Sequence, residues 1–76
     1  MIKELDTVVL LNDKKEYGLL EGDLGAVVHS YKQESVYEVE FVTAGGYTVA
    51  VLTLTEKEIR PMYSREILHA RELEAA

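Results

Sequence analysis

The clearest hydrophobic pattern in the chain runs from Val36 to Val42, where Tyr37, Val39 and Phe41 alternate with Glu38 and Glu40. A period of two with one polar face marks a strand that packs on one side only. Ala44-Gly45-Gly46 follows, and because glycines supply the positive φ of tight hairpin turns, the run Tyr47–Leu54 is expected to return antiparallel to it. In that run Val49 and Val51 fall on one face and Ala50, Leu52 and Leu54 on the other. A strand apolar on both faces is expected to be central, or to bend so that each face is covered in turn.

Three more strands are legible around this hairpin. Thr7–Leu11 begins with β-branched residues and is stopped by Asn12-Asp13. The polar stretch from Asn12 to Asp23 carries Leu19 and Leu20, so it is expected to fold back onto the core. Gly22-Asp23-Leu24-Gly25 marks a tight turn with positive φ at one or both glycines, and it opens the strand Leu24–Tyr31. Lys32–Ser35 is a polar hairpin loop, and Thr55–Glu58 is a short turn expected to form one turn of 3₁₀ helix. Ile59-Arg60-Pro61 is a brief last strand, which Pro61 restricts to a sheet edge or end. Val9, Val27, Val39, Phe41 and Leu52 are the expected core.

After Pro61 the period changes. Ser64 has the chemistry of a helix N-cap, and Arg65–Glu74 has helix-forming composition. Tyr63, Ile67 and Ala70 would share one stripe, with Leu73 at its edge. Leu68 would lie roughly 100° from Ile67. A helix of about ten residues is marginal in water. The stripe is therefore expected to dock on the strands, leaving Leu68 and Leu73 to an interface with a second copy or with another protein. The combined expectation is an all-β fold with a C-terminal helix: a small five-stranded SH3-like barrel over residues 1–62, and the helix over 63–76.

Composition and charge change this picture in four ways. The chain of 76 residues is one domain, and 47% apolar with 29% charged residues is the balance of a folded domain, not of a disordered tail. There is no cysteine, and His29 and His69 are far apart without ligand-like spacing, so neither a metal nor another cofactor is expected. Apolar stretches such as Val8–Leu11 are far short of the ~20 residues of a membrane span, and Met1–Asp6 does not read as a signal peptide. No membrane partner is expected, and the location is taken as cytoplasmic. The net charge of −6 opposes binding to nucleic acid, whose recognition needs cations to displace counterions, and suits a basic protein partner.

None of the polar constellations reads as catalytic. Glu38 and Glu40 are neighbours on one strand face, whereas glycosidase carboxylates flank a sugar from opposite sides. They read as a solvated face able to meet a basic partner. His29 is expected to point away from Val28 and Ser30, with no serine or carboxylate placed to complete a triad. His69 is expected to be exposed on the far side of the helix from Ile67, and Arg60 to pair with Glu58 or a nearby acid. Gly22 and Gly25 precede a strand, not a helix, so they do not form a phosphate-binding loop. An enzyme is not expected. Tyrosine is a favoured interface residue, being amphipathic and rigid, and Tyr17, Tyr31 and Tyr47 lie at strand ends or in the first loop. The candidate protein interface is thus Tyr17, Tyr31, Glu38, Glu40, Tyr47, Leu68 and Leu73.

Several of these segments carry a resemblance. Leu5-Asp6-Thr7-Val8-Val9-Leu10, Gly18-Leu19, Gly22-Asp23-Leu24-Gly25-Ala26-Val27-Val28, Tyr37-Glu38-Val39-Glu40-Phe41-Val42 and Arg60-Pro61 together resemble a family of short, mainly cyanobacterial proteins catalogued as a domain of unknown function. The resemblance covers Lys3 to about Pro61. It implies an SH3-like barrel and carries over no catalytic residue. Members resemble neighbours of toxin-like genes, which implies an antitoxin or immunity role against a basic toxin. A more local similarity, Gly-Asp-x-Gly-x-Val over Gly22–Val28, is to the KOW motif of ribosome- and polymerase-associated proteins. The alternatives to a protein-binding module are therefore a KOW-like nucleic-acid module and a structural accessory subunit of a larger complex, such as an electron-transfer complex.

Overall fold

The computed structural model of the chain describes residues 2–31 and 33–73. Lys32 in the second loop, and residues 74–76 of the expected helix with Met1 at the other end, lie outside the described residues. Five strands form: β1 (Thr7–Leu10), β2 (Leu24–Tyr31), β3 (Val36–Val42), β4 (Thr48–Thr55) and β5 (Ile59–Pro61). They make one antiparallel sheet in the order β4-β3-β2-β1-β5. The core-facing set is Val8, Leu10, Leu19, Val27, Tyr37, Val39, Phe41, Leu52, Leu54 and Ile59. All five residues expected in the core are buried, although Val9 is buried outside this cluster. Leu19 does bring the first loop back to the core, at 3% exposure, and the loop's one regular turn is a 3₁₀ turn at Lys15–Tyr17.

Two glycines shape β2. Gly22 has φ +95°, the left-handed value the turn requires. Gly25 is needed for a different reason: a Cβ there would stand 2.5 Å from Val39 Cγ1 and 2.9 Å from Phe41 Cε1. Its bare backbone lets Phe41, the largest fully buried side chain, pack close against β2.

The sheet departs from the expected architecture in three places. It is not closed into a barrel. β5 is three residues long, pairs only with β1 and ends in Pro61, which has no N–H to continue a ladder. β4, expected to be central or bent so that both faces are covered, is the opposite edge of the sheet, and Val51 is 53% exposed. The turn before β5 is not 3₁₀.

The expected C-terminal helix is also absent: there is no α-helix among the described residues, and 66–73 has no regular structure. A single turn forms, with the Glu66 N–H donating to Tyr63 O at 3.1 Å and the Glu66 carboxylate accepting the Tyr63 N–H at 2.6 Å. The same carboxylate binds Arg60 at 2.8 and 2.7 Å. Farther on, Arg71 binds the Asp23 carboxylate at 2.9 and 2.5 Å and the Gly18 carbonyl at 2.9 Å. The tail is thus held by ion pairs at two points. A ten-residue helix needs a docking surface, and the stripe meant to supply one is open to solvent, with Ile67 89% and Tyr63 58% exposed. No helix of the described residues is long and apolar enough to cross a membrane.

Candidate protein-binding surface

Alternation along β3 buries Tyr37, Val39 and Phe41 and turns Glu38 and Glu40 to the outer face. β3 has a neighbour on each side, so both carboxylates sit in the middle of a three-strand surface. Glu38 accepts hydrogen bonds from the Tyr31 hydroxyl on β2 at 3.0 Å and from the Thr53 hydroxyl on β4 at 3.0 and 2.8 Å. Glu40 accepts one from Thr48 on β4 at 2.9 Å. The donors are neutral, so they fix the carboxylates without cancelling their charge. The Tyr31 hydroxyl, donating to Glu38, has its pKa raised above the ordinary value by that bond and by the carboxylate's charge.

A β-bulge shapes the β2 side of this surface. The register with β3 shifts between Val27 and His29, so Val28 is an extra residue. Val28 and His29 both end on the outer face instead of pointing opposite ways, at 47% exposure for Val28 and 53% for the His29 side chain. His29 Nδ1 lies 3.4 Å from Glu4, and its ring meets Tyr31 edge-on at 4.6 Å. With Val42 and Val51, each about half exposed, Val28 gives the acidic centre an aliphatic surround.

The remaining predicted interface residues do not join this surface as a group. Tyr47 belongs to the β3–β4 turn, at the end of β3 opposite Tyr31, and is 71% exposed. Tyr17 ends the 3₁₀ turn of the first loop and lies beside the outer edge of β4. Leu68 and Leu73 are in the irregular tail, at 64% and 38% exposure. The structure thus brings together Tyr31, Glu38 and Glu40, and leaves Tyr17, Tyr47 and the two leucines apart.

The charged residues elsewhere hold loops together. Arg60 pairs with Glu66, whose pKa is pulled down to about 2 by the guanidinium and by the Tyr63 N–H. Glu58 bonds Lys14 at 2.6 Å, which lowers the carboxyl's pKa and raises the amine's. Burial pushes Asp23 up, but hydrogen bonds from Arg71 and the Leu20 N–H leave it below the usual carboxylate range. No three His, Asp or Glu side chains come together to hold a metal ion among the described residues. A groove of about 890 Å³ lies between the N-terminal segment and β5, with Tyr37 and Ile59 in its lining alongside Lys3, Glu4, Lys57 and Arg60. Its charges are mixed and Arg60 is engaged by Glu66, so nothing there selects one ligand chemistry.

The family model described as "Domain of unknown function (DUF4926)" matches residues 4–61, well over half of the chain. The chain belongs to this family. No curated protein and no solved structure matches it. The DUF4926 match contains Tyr17, Tyr31, Glu38, Glu40 and Tyr47, whereas Leu68 and Leu73 fall beyond it. The acidic surface is therefore part of the matched DUF4926 region, and the tail is not.

Proposed function

We propose that this chain is a non-catalytic protein-binding domain whose outer β2–β3–β4 face takes a basic partner. The observation that carries the reading is the pair Glu38 and Glu40, oriented by three neutral hydroxyls and surrounded by half-exposed valines. Carboxylates already held in place lose little further freedom on binding. Each has lone pairs left for a cationic donor, since an ionised carboxylate offers about four acceptor sites. The valines supply the non-directional part: full burial of one is worth about 1.5 kcal/mol, so three at half exposure offer roughly 2 kcal/mol.

The same charge opposes a nucleic-acid partner, which supports the protein reading over a KOW-like one. Within it, a basic toxin is the specific partner that the resemblance to bacterial, toxin-adjacent proteins implies. The setting we propose is the cytoplasm, where a chain without cysteine has no disulfide to lose. The test is to isolate a partner from native cells and measure binary affinity with wild type and with Glu38→Lys/Glu40→Lys. The expected result is a loss of about tenfold or more, smaller at high salt. Equal affinity for both proteins overturns the reading.

A further inference from the structure

The two edges of the sheet are treated very differently by the sequence. β5 is short and ends in proline, two of the devices that stop an edge from pairing with another chain. β4 has neither. Its eight residues, Thr48-Val49-Ala50-Val51-Leu52-Thr53-Leu54-Thr55, contain no charge and no proline and have high β propensity.

Which backbone groups β4 leaves open follows from the ladder. The Glu56 N–H donates to Ser35 O, and the β3–β4 register is continuous from Val36↔Thr55 to Phe41↔Ala50. Bonded and non-bonded pairs alternate in an antiparallel ladder, so Leu54 and Leu52 turn their backbone groups to β3. Thr55, Thr53 and Val51 turn theirs outward. At Thr55 both are already taken: its N–H donates to Glu58 Oε1 at 2.8 Å and its carbonyl accepts the Glu58 N–H at 3.0 Å. No protein backbone bond reaches the outward groups of Val51 and Thr53 among the described residues.

Those four groups border a groove of about 440 Å³, whose far wall is the first loop at Lys14, Glu16 and Tyr17. Lys14 is paired with Glu58, so this wall and the β4 end carry one cation against two carboxylates. On the other face, Glu38 and Glu40 lie one strand in from the edge. Strands are ~4.8 Å apart, so an added strand would run about 10 Å from β3, within reach of a long basic side chain crossing Thr53.

We infer that the β4 edge is a strand-addition site for an extended basic segment of a partner protein. The segment would pair with Val51 and Thr53 through its main chain and alternate Lys or Arg with apolar residues. Main-chain pairing supplies affinity, and the acidic groups on both sides select against acidic segments. This deepens the proposed function and rests on it for the partner's charge, while the pairing itself rests on the free edge.

The probe is a capped nine-residue peptide of alternating Lys and Val, added to ¹⁵N-labelled protein, with amide hydrogen exchange as readout. A control peptide carries N-methyl groups on two neighbouring central residues, which blocks both of its edges. The expected result is that exchange at Val51 and Thr53 slows about tenfold or more, and that the N-methylated peptide binds at least about tenfold more weakly. Equal binding of both peptides, with shifts at Glu38 and Glu40 but no protection at Val51 and Thr53, overturns strand addition and leaves the acidic-face reading standing. Protection that is unaffected by Glu38→Gln/Glu40→Gln supports strand addition and removes the acidic-face reading. No binding at millimolar peptide overturns the inference. So does protection that rises with protein concentration alone, which would put a second copy on the edge.

Discussion

Removing the Phe41 ring should remove a large part of the fold's stability. Phe41 is 2% exposed and lies against the backbone of Gly25, with Val39 beside it. Phe→Ala in such a site costs about 3–5 kcal/mol, as lost transfer energy and as the cavity left behind. A domain of this length has roughly 4–11 kcal/mol in total, so the loss is about a quarter of it at the least and all of it at the most. The corresponding drop in melting temperature is about 12–40 °C at 4–8 °C per kcal/mol. A second substitution checks the geometry. Gly25→Ala in the wild-type background places a methyl 2.5 Å from Val39 Cγ1 and 2.9 Å from Phe41 Cε1, an overpacking that costs about 1–3 kcal/mol. In Phe41→Ala the ring is gone and Val39 has space to turn, so the same methyl fills part of the cavity. Urea melts of the four proteins followed by circular dichroism should give a coupling of at least about 1 kcal/mol, the double variant being more stable than the sum of the single losses. Phe41→Ala melting within a few degrees of wild type would refute the core assignment. A Gly25→Ala cost that is identical in both backgrounds would refute the contact.

Three other outcomes are expected. The protein should show no salt-dependent complex with duplex DNA or RNA at physiological salt by fluorescence anisotropy, and a micromolar complex would contradict the charge argument. Glu66, Glu58 and Asp23 have pKa values below their ordinary 4.5, 4.5 and 3.8, so the unfolded chain binds more protons in that range; stability should be full above pH ~5 and fall as pH drops toward 2, and a urea midpoint unchanged down to pH 3 would contradict it. Leu68→Glu should leave the melting curve within about 0.5 kcal/mol of wild type because Leu68 is 64% exposed, whereas Arg71→Ala should speed proteolysis of the tail at a cost to the sheet of no more than about 1 kcal/mol; a large loss of sheet stability in either would mean the tail is packed.

What the sequence made legible was local. The alternation Tyr37-Glu38-Val39-Glu40-Phe41 determines both the strand and which face is acidic, and the polar loop before it and the Gly45-Gly46 turn after it set antiparallel neighbours on both sides. What it hid depends on pairing at a distance. The bulge that turns Val28 and His29 to one face depends on the β3 register and leaves no mark on composition. β4 reads as a central strand because its apolar residues alternate across both faces, yet the sheet ends there and Val51 is left open. The tail follows the same rule: helix-forming composition over Arg65–Glu74 is a weak preference that needs a docking surface, and here the stripe is open to solvent while Arg71 reaches Asp23, 48 residues away. Arg60 did find a nearby acid, but it was Glu66, since Glu58 is held by Lys14 across the first loop. The candidate surface was half legible. Glu38 and Glu40 follow from alternation, while Tyr31 is tied to them only through the β2–β3 pairing, and Tyr17 and Tyr47 belong to different parts of the molecule.

The claim that the outer face receives a protein is tested most directly by an amide chemical-shift map of ¹⁵N-labelled protein titrated with its purified partner. Shifts should centre on Val28, Tyr31, Glu38, Glu40, Val51 and Thr53, and weaken when salt is raised or Glu38 and Glu40 are reversed to lysine. Shifts confined to the tail around Leu68 and Leu73 or to the groove beside Ile59, with the β3 amides unmoved, would contradict it.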